Sequence, residues 1–175
     1  HNTVRREVMG TENRLATDAE LKAMQTLIQT AMDDGAFGLS TGVKYIPGAY
    51  SNTDEVVALA STVLKNRGFY ATHMREEGIG LLESVDEAIN IGREAKLPVQ
   101  ISHHKAVGKS MWGKSVKTLE KIENARAEGI EVVADQYPYT ATSTTLTVVF
   151  PAWSLAGGMD ELKKRLDDPT QRQKI

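Results

Sequence analysis

The stretch Phe69-Tyr70-Ala71-Thr72-His73-Met74-Arg75-Glu76-Glu77 changes character at its centre. Its first half has the aromatic and apolar composition of a short buried strand, and its second half is rich in ionisable groups. Directly before it, Asn52 or Thr53 is placed to cap a helix whose apolar positions are Val56, Val57, Leu59, Ala60, Val63 and Leu64. Arg67-Gly68 ends that helix and hands the chain to the strand. The unit is therefore a helix, a strand and a polar strand end.

The same unit recurs on both sides. Upstream, Thr17-Asp18-Ala19-Glu20 is a capping box, in which a hydroxyl and a carboxylate satisfy each other's backbone amides. Leu21, Met24, Leu27, Ile28 and Ala31 follow at helical spacing, Gly35 stops the helix, and Ala36 to Ser40 reads as a strand. Downstream, a helix from Gly80 to Ala95 carries Leu82, Val85, Ala88 and Ile89 inward. Pro98 stops it, and Val99 to Ser102 is the next strand. In the fourth unit, Val116, Leu119, Ile122 and Ala125 form a stripe on a helix ending near Gly129, before a strand over Ile130 to Ala134. A repeat of about 30 residues is the length of one αβ unit of a parallel sheet. Four such units predict an α/β fold: part of a (β/α)8 barrel or an open sheet. A complete barrel needs about 250 residues, more than the 175 present.

All four strands run into polar chemistry. The first leads to Ser40-Thr41-Gly42 and on to Tyr45, the second to His73 and the charged run after it. The third leads to Ser102-His103-His104-Lys105, and the fourth to Asp135-Gln136-Tyr137-Pro138-Tyr139. The carboxyl ends of parallel strands are where active sites form. His73 and His103 lie 30 residues apart, one repeat. Neighbouring strands are about 4.8 Å apart, so two imidazoles there are within reach of one ion. Spacing alone leaves two readings open: a shared pair of metal ligands, or two hydrogen-bonded structural histidines.

Composition narrows the class. A net charge of −2 and a pI near 6.1 supply no basic field for nucleic acid. No apolar run approaches the roughly 20 residues that cross a bilayer, and the first residues have no signal-peptide core. The chain contains no cysteine, which excludes disulfides and thiolate ligands within it. These features predict a cytoplasmic protein without nucleic-acid or membrane partners.

Read as strings, the strand ends say more. Thr72-His73-Met74-Arg75-Glu76-Glu77, Ser102-His103-His104-Lys105 and Asp135-Gln136-Tyr137-Pro138-Tyr139 closely resemble segments of the N-acyl-D-amino-acid deacylase (D-aminoacylase) family of the amidohydrolase superfamily. Gly38-Leu39-Ser40-Thr41-Gly42, with Tyr45 and Pro47, resembles a fourth segment, and His1-Asn2-Thr3-Val4-Arg5 the stretch before it. The match extends to about Tyr139 in order and spacing. It implies a partial (β/α)8 barrel of about four αβ units and zinc-dependent hydrolysis of the amide bond of a small-molecule N-acyl-D-amino acid. By position, it makes His73 and His103 zinc ligands, Lys105 the holder of the substrate α-carboxylate, and Tyr45 and Tyr137 residues of the substrate pocket.

Other residues keep two readings. Arg75, Glu76 and Glu77 orient His73 or form an ion-pair network. Asp135 caps its turn or is a catalytic carboxylate, and Trp112-Gly113 is a mobile loop or plain packing. His104 reads as structural. The family's His-x-His segment, its ligand cysteine and its general-base aspartate have no counterpart here, so no catalytic base is assigned. The expectation is an inactive central piece of a longer enzyme: residues 1–150 in the barrel, and 151–175 a tail or the start of an insertion or next helical unit. Unpaired strand edges predict self-association of such a piece. The alternatives are a non-catalytic half-barrel domain and a different amidohydrolase of dihydroorotase-like or dipeptidase-like type.

Overall fold

The structure, a computed structural model, describes residues 1–175. Helix α1 (Asn2–Met9) precedes α2 (Asp18–Asp33), β1 (Gly38–Gly42), α3 (Thr53–Ala60), β2 (Phe69–His73) and α4 (Leu81–Ala95). Then come β3 (Val99–Ile101), α5 (Ser115–Ala127), β4 (Val132–Ala134), α6 (Met159–Asp167) and α7 (Pro169–Arg172). The four strands form one parallel sheet in the order β1-β2-β3-β4. The chain is thus an α/β protein whose sheet order follows the sequence. No helix is long and apolar enough to cross a membrane.

The strand register explains where the core lies. Leu39, Tyr70, Val99 and Val132 are aligned across the sheet, and all four are buried. With Thr41, Thr72 and Ile101 they make the face that packs on the helices. Because side chains alternate along a strand, Ser40, Ala71 and Gln100 look the other way, and so does His73 at the end of β2. That second face has no helix layer. Consecutive helices from α2 to α5 pack side by side. Met24, Ile28, Val56, Leu59, Val85, Ile91 and Ile122 fill the space between them and the strands. Gly92 is needed there: a Cβ on it would collide with the Val99 side chain.

Helix starts follow the sequence closely. Thr17 and Glu20 form the reciprocal capping box of α2, and Asn52 accepts from the Glu55 amide at 3.0 Å to cap α3. Three expectations need correcting. β1 lies two residues later than read, at Gly38–Gly42. Helix α3 stops at Ala60 and continues as a tighter 3-10 stretch, Ser61–Asn66, rather than running to Arg67-Gly68 as one helix. On α5, Ile122 and Ala125 are buried as expected, but Val116 and Leu119 are exposed and Thr118 is buried with the other two. Residues three apart fall about 60° short of a full helical turn, so a strict i+3 series winds off the buried face.

Residues 151–175 make contacts with the rest of the chain. The Tyr50 hydroxyl donates to the Ala152 carbonyl at 3.0 Å. Leu155 and Leu162 are buried, and Arg165 donates to the carbonyls of Ser154 and Ala156 at 2.9 and 2.6 Å. The segment therefore rests against the loop that follows β1.

Candidate metal and substrate site

Parallel register brings the chemistry to one edge. Gly42 pairs with His73, Thr72 with Ile101, and Ile101 with Ala134. Tyr45, His73, His103, Lys105 and Tyr137 consequently line one cavity of about 360 Å³, together with Lys44, Glu76 and Glu77. All five residues assigned from sequence as ligands or substrate contacts meet in it. Arg75 does not line it, and Trp112 is exposed outside it.

The His73 and His103 rings are 4.1 Å apart between centroids, with Nδ1 of His73 facing Nε2 of His103. Burial, then the neighbouring His103, holds the His73 imidazole below its usual pKa. That favours the neutral ring, the form that binds metal. His103 has a left-handed backbone, φ 41°, uncommon for a residue with a side chain. Asp135 keeps it there. One carboxylate oxygen accepts the His103 amide at 2.7 Å, the other accepts from Gln100 at 2.6 Å, and the Asp135 carbonyl accepts the His104 amide at 2.7 Å. Asp135 is thus the clasp of the β3 turn.

Lys105 Nζ lies 2.5 Å from Glu77 Oε1 and 2.8 Å from the His103 carbonyl, and 5.5 Å above the Tyr137 ring. The Tyr137 hydroxyl is buried without a hydrogen-bond partner. Tyr45 stands edge-on to His73, centroids 6.1 Å apart, with its hydroxyl 3.0 Å from Thr144 Oγ1. His104 turns away and bonds Thr118 Oγ1 at 2.8 Å, as a structural residue would.

Arg75 and Glu76 had two readings, orienting His73 or forming an ion-pair network, and their bonds are of the second kind. Arg75 grips Glu87 on α4 at 2.8–3.2 Å. Glu76 binds Lys44 at 2.6 Å and accepts the amides of Glu77 and Gly78 at 3.0 and 2.8 Å, so it shapes the turn after β2. Neither is hydrogen-bonded to His73. Glu77, grouped with them in the sequence, is the one that reaches a histidine: its Oε1 is 2.9 Å from His103 Nδ1. Sequence spacing gave no sign of this, because the contact joins the loops after two different strands.

Two imidazole nitrogens facing each other suit a borderline metal such as zinc, but no group of three or more histidine, cysteine, aspartate or glutamate side chains is arranged to hold one. A catalytic zinc takes three protein ligands and keeps a position open. The facing His73 and His103 nitrogens are two groups, fewer than the three such a site takes.

No family model matches the chain. A D-aminoacylase from Alcaligenes xylosoxydans xylosoxydans is 44% identical over 146 residues, which is 83% of this chain and 30% of that protein. A D-aminoacylase structure described by its binuclear metal centre is 43% identical and superposes at a TM-score of 0.76, covering 79% of this chain and 29% of that one. An N-acyl-D-glutamate deacylase from Bordetella bronchiseptica, complexed with zinc and a phosphonate mimic of the tetrahedral intermediate, is 38% identical at a TM-score of 0.77, with the same coverages. The chain spans 26–30% of the length of the curated relatives it matches.

A parallel sheet that gathers histidines at its carboxyl edge, with these structural neighbours, places the matched region in the amidohydrolase superfamily. Within that superfamily it belongs to the N-acyl-D-amino-acid deacylases.

Proposed function

We propose that the chain is the central part of the catalytic barrel of a zinc-dependent N-acyl-D-amino-acid deacylase, which hydrolyses its substrate to a carboxylate and a free D-amino acid. The observation that carries this reading is the convergence of His73 Nδ1 and His103 Nε2 in the cavity that also holds Lys105 and Tyr137. Sequential parallel strands with helices on one face are an arc of a (β/α)8 barrel. The bare face of the sheet is then the inside of the barrel. All-parallel sheets are covered on both faces, and the remaining strands of a barrel would close over this one.

In this reading His73 and His103 are two of the zinc ligands. Zinc bound there would polarise the scissile carbonyl and lower the pKa of a water molecule to about 7. Lys105 draws the substrate α-carboxylate to the far side of the cavity. Its charge is already held in place by Glu77 and the His103 carbonyl, so little side-chain freedom is lost on binding. The unpartnered Tyr137 hydroxyl supplies a hydrogen bond to the same end of the substrate, and Tyr45 closes the wall beside His73. No residue of this chain is assigned as general base.

The test is hydrolysis of N-acetyl-D-amino acids by the full-length protein. The D-enantiomer is expected to be cleaved and the L-enantiomer spared. Lys105→Met should raise KM by roughly 10-fold or more, the scale of a lost charged hydrogen bond. Equal cleavage of both enantiomers, or an unchanged KM in the variant, would contradict the assignment.

A further inference from the structure

A second cavity of about 360 Å³ adjoins the one that holds the histidines, and Lys44, Tyr45 and Val148 line both. Most of its wall is apolar: Val43, Ile46 and Ala49 from the loop after β1, with Phe150 and Leu155 facing them from the later segment. Lys44 and Arg75 are the charged residues of its lining, and no acidic side chain lines it.

Both cations have donors to spare. Arg75 gives Nε and Nη2 to Glu87, and its Nη1 makes no hydrogen bond. Lys44 bonds only Glu76, at 2.6 Å, although an ammonium carries three donors. Their side chains are 36% and 31% exposed for Lys44 and Arg75. Glu76 and Glu87 lie outside this lining, so they hold the two cations in place without filling the cavity.

The position of the cavity says which part of a substrate reaches it. From β3 to β1 the sheet edge carries Lys105, His103, His73, Tyr45 and Lys44 in that order. An amide is planar and trans, so its two substituents leave in opposite directions. With the α-carboxylate at Lys105 and the scissile carbonyl beside the histidines, the acyl chain runs past Tyr45 into the second cavity.

We propose that this cavity is the subsite for the acyl half of the substrate, and that Lys44 and Arg75 fit it to acyl chains ending in a carboxylate. The proposal rests on the deacylase reading above and deepens it by naming the acyl class. A succinyl group has both parts required: methylenes for the apolar wall, and a carboxylate for Arg75 Nη1 and the free Lys44 donors. Hydrogen bonds to a charged group are strengthened in such apolar surroundings. Cations already held by Glu76 and Glu87 lose little further freedom on binding.

The experiment compares kcat/KM of the full-length, zinc-loaded protein on N-succinyl-D-leucine and N-butyryl-D-leucine. The two acyl groups have the same length and differ in the terminal carboxylate. The wild type is expected to favour the succinyl compound by roughly 10-fold or more, the scale of a charged hydrogen bond. A general loss of activity cancels in this ratio, which can therefore be followed through variants. It should fall toward about 1 in Lys44→Met and in Arg75→Gln, and Arg75→Lys, which keeps the charge, should retain part of it. Ala49→Phe, which fills the cavity, should slow both compounds relative to N-acetyl-D-leucine. A wild-type ratio near about 1, or one that neither Lys44→Met nor Arg75→Gln changes, would overturn the proposal. So would an acid preference carried by the other half of the substrate: N-acetyl-D-glutamate favoured over N-acetyl-D-norvaline, and lost in these variants while the acyl ratio is unaffected. If the wild type does not cleave N-acetyl-D-leucine, the deacylase reading itself falls, and this proposal with it.

Discussion

His103 shows how a single residue is held for function. Its left-handed backbone costs on the order of 1–3 kcal/mol, and the Asp135 clasp on its amide offsets that cost. Asp135→Ala should destabilise the protein by about 1 kcal/mol and also weaken zinc binding, because the ring is no longer aimed at His73. Urea unfolding and zinc titration on the same variant check both; loss of stability without loss of affinity would count against an aiming role. At this scale much of the site was legible. His73, His103, Lys105, Tyr45 and Tyr137 are fixed by place along the chain, one strand end after another, and strand ends meet by topology. Glu77 and Asp135 were less legible because their bonds run sideways between loops. Spacing carries no information on which loop a carboxylate leans toward.

At the scale of elements, the joint between α1 and α3 is the most heavily charged part of the interior. Arg5 is fully buried and pairs with both oxygens of Glu55, while His1 Nε2 lies 3.1 Å from the same carboxylate. Burial alone would raise the Glu55 pKa, but the bonds from His1 and Arg5 outweigh it and leave the carboxyl below its usual value. A carboxyl lowered in this way adds stability that is complete above its unfolded pKa, near 4.3, and disappears as pH falls through the folded value. Glu55→Gln leaves Arg5 buried without its counter-charge and should cost about 3–5 kcal/mol at pH 7. The deficit should shrink below about pH 4. Chemical unfolding at pH 7 and pH 3 measures it, and a deficit that does not change with pH would contradict the ion-pair account. The sequence revealed α3 through its cap, because capping depends on residues only three positions apart; it did not reveal α1, whose first residue His1 makes no side-chain cap bond. It misjudged the buried face of α5, where Val116 and Leu119 matched a periodic pattern that tertiary packing does not use. It also did not reveal the clamp, whose partners are 50 residues apart.

For the whole molecule, the sheet is the issue. β4 has no partner on its outer side, and Phe37, Val116, Leu119 and Val133 are exposed. The face opposite the helices is bare. Such edges and faces recruit other chains. The 175-residue chain made alone should self-associate in light scattering and should show no deacylase turnover; a clean monomer would count against the open-barrel reading. The order of the αβ units was legible as a repeat of one helix and one strand. What closes the sheet was not, because the residues that would cover its bare face are not among these four units.

The central claim is that His73 and His103 share a metal. Zinc titration of the full-length protein against a competing chelator tests it most directly, with His73→Asn and His103→Asn alongside the wild type. Each substitution is expected to lower zinc affinity by at least about 10-fold, given that loss of even an outer-shell partner costs 10–100-fold. His104→Asn, in which the side chain beside them faces Thr118 instead, should leave it within about 2-fold of wild type, as a residue outside the metal's shells would. Wild-type affinity in both ligand variants would contradict the account.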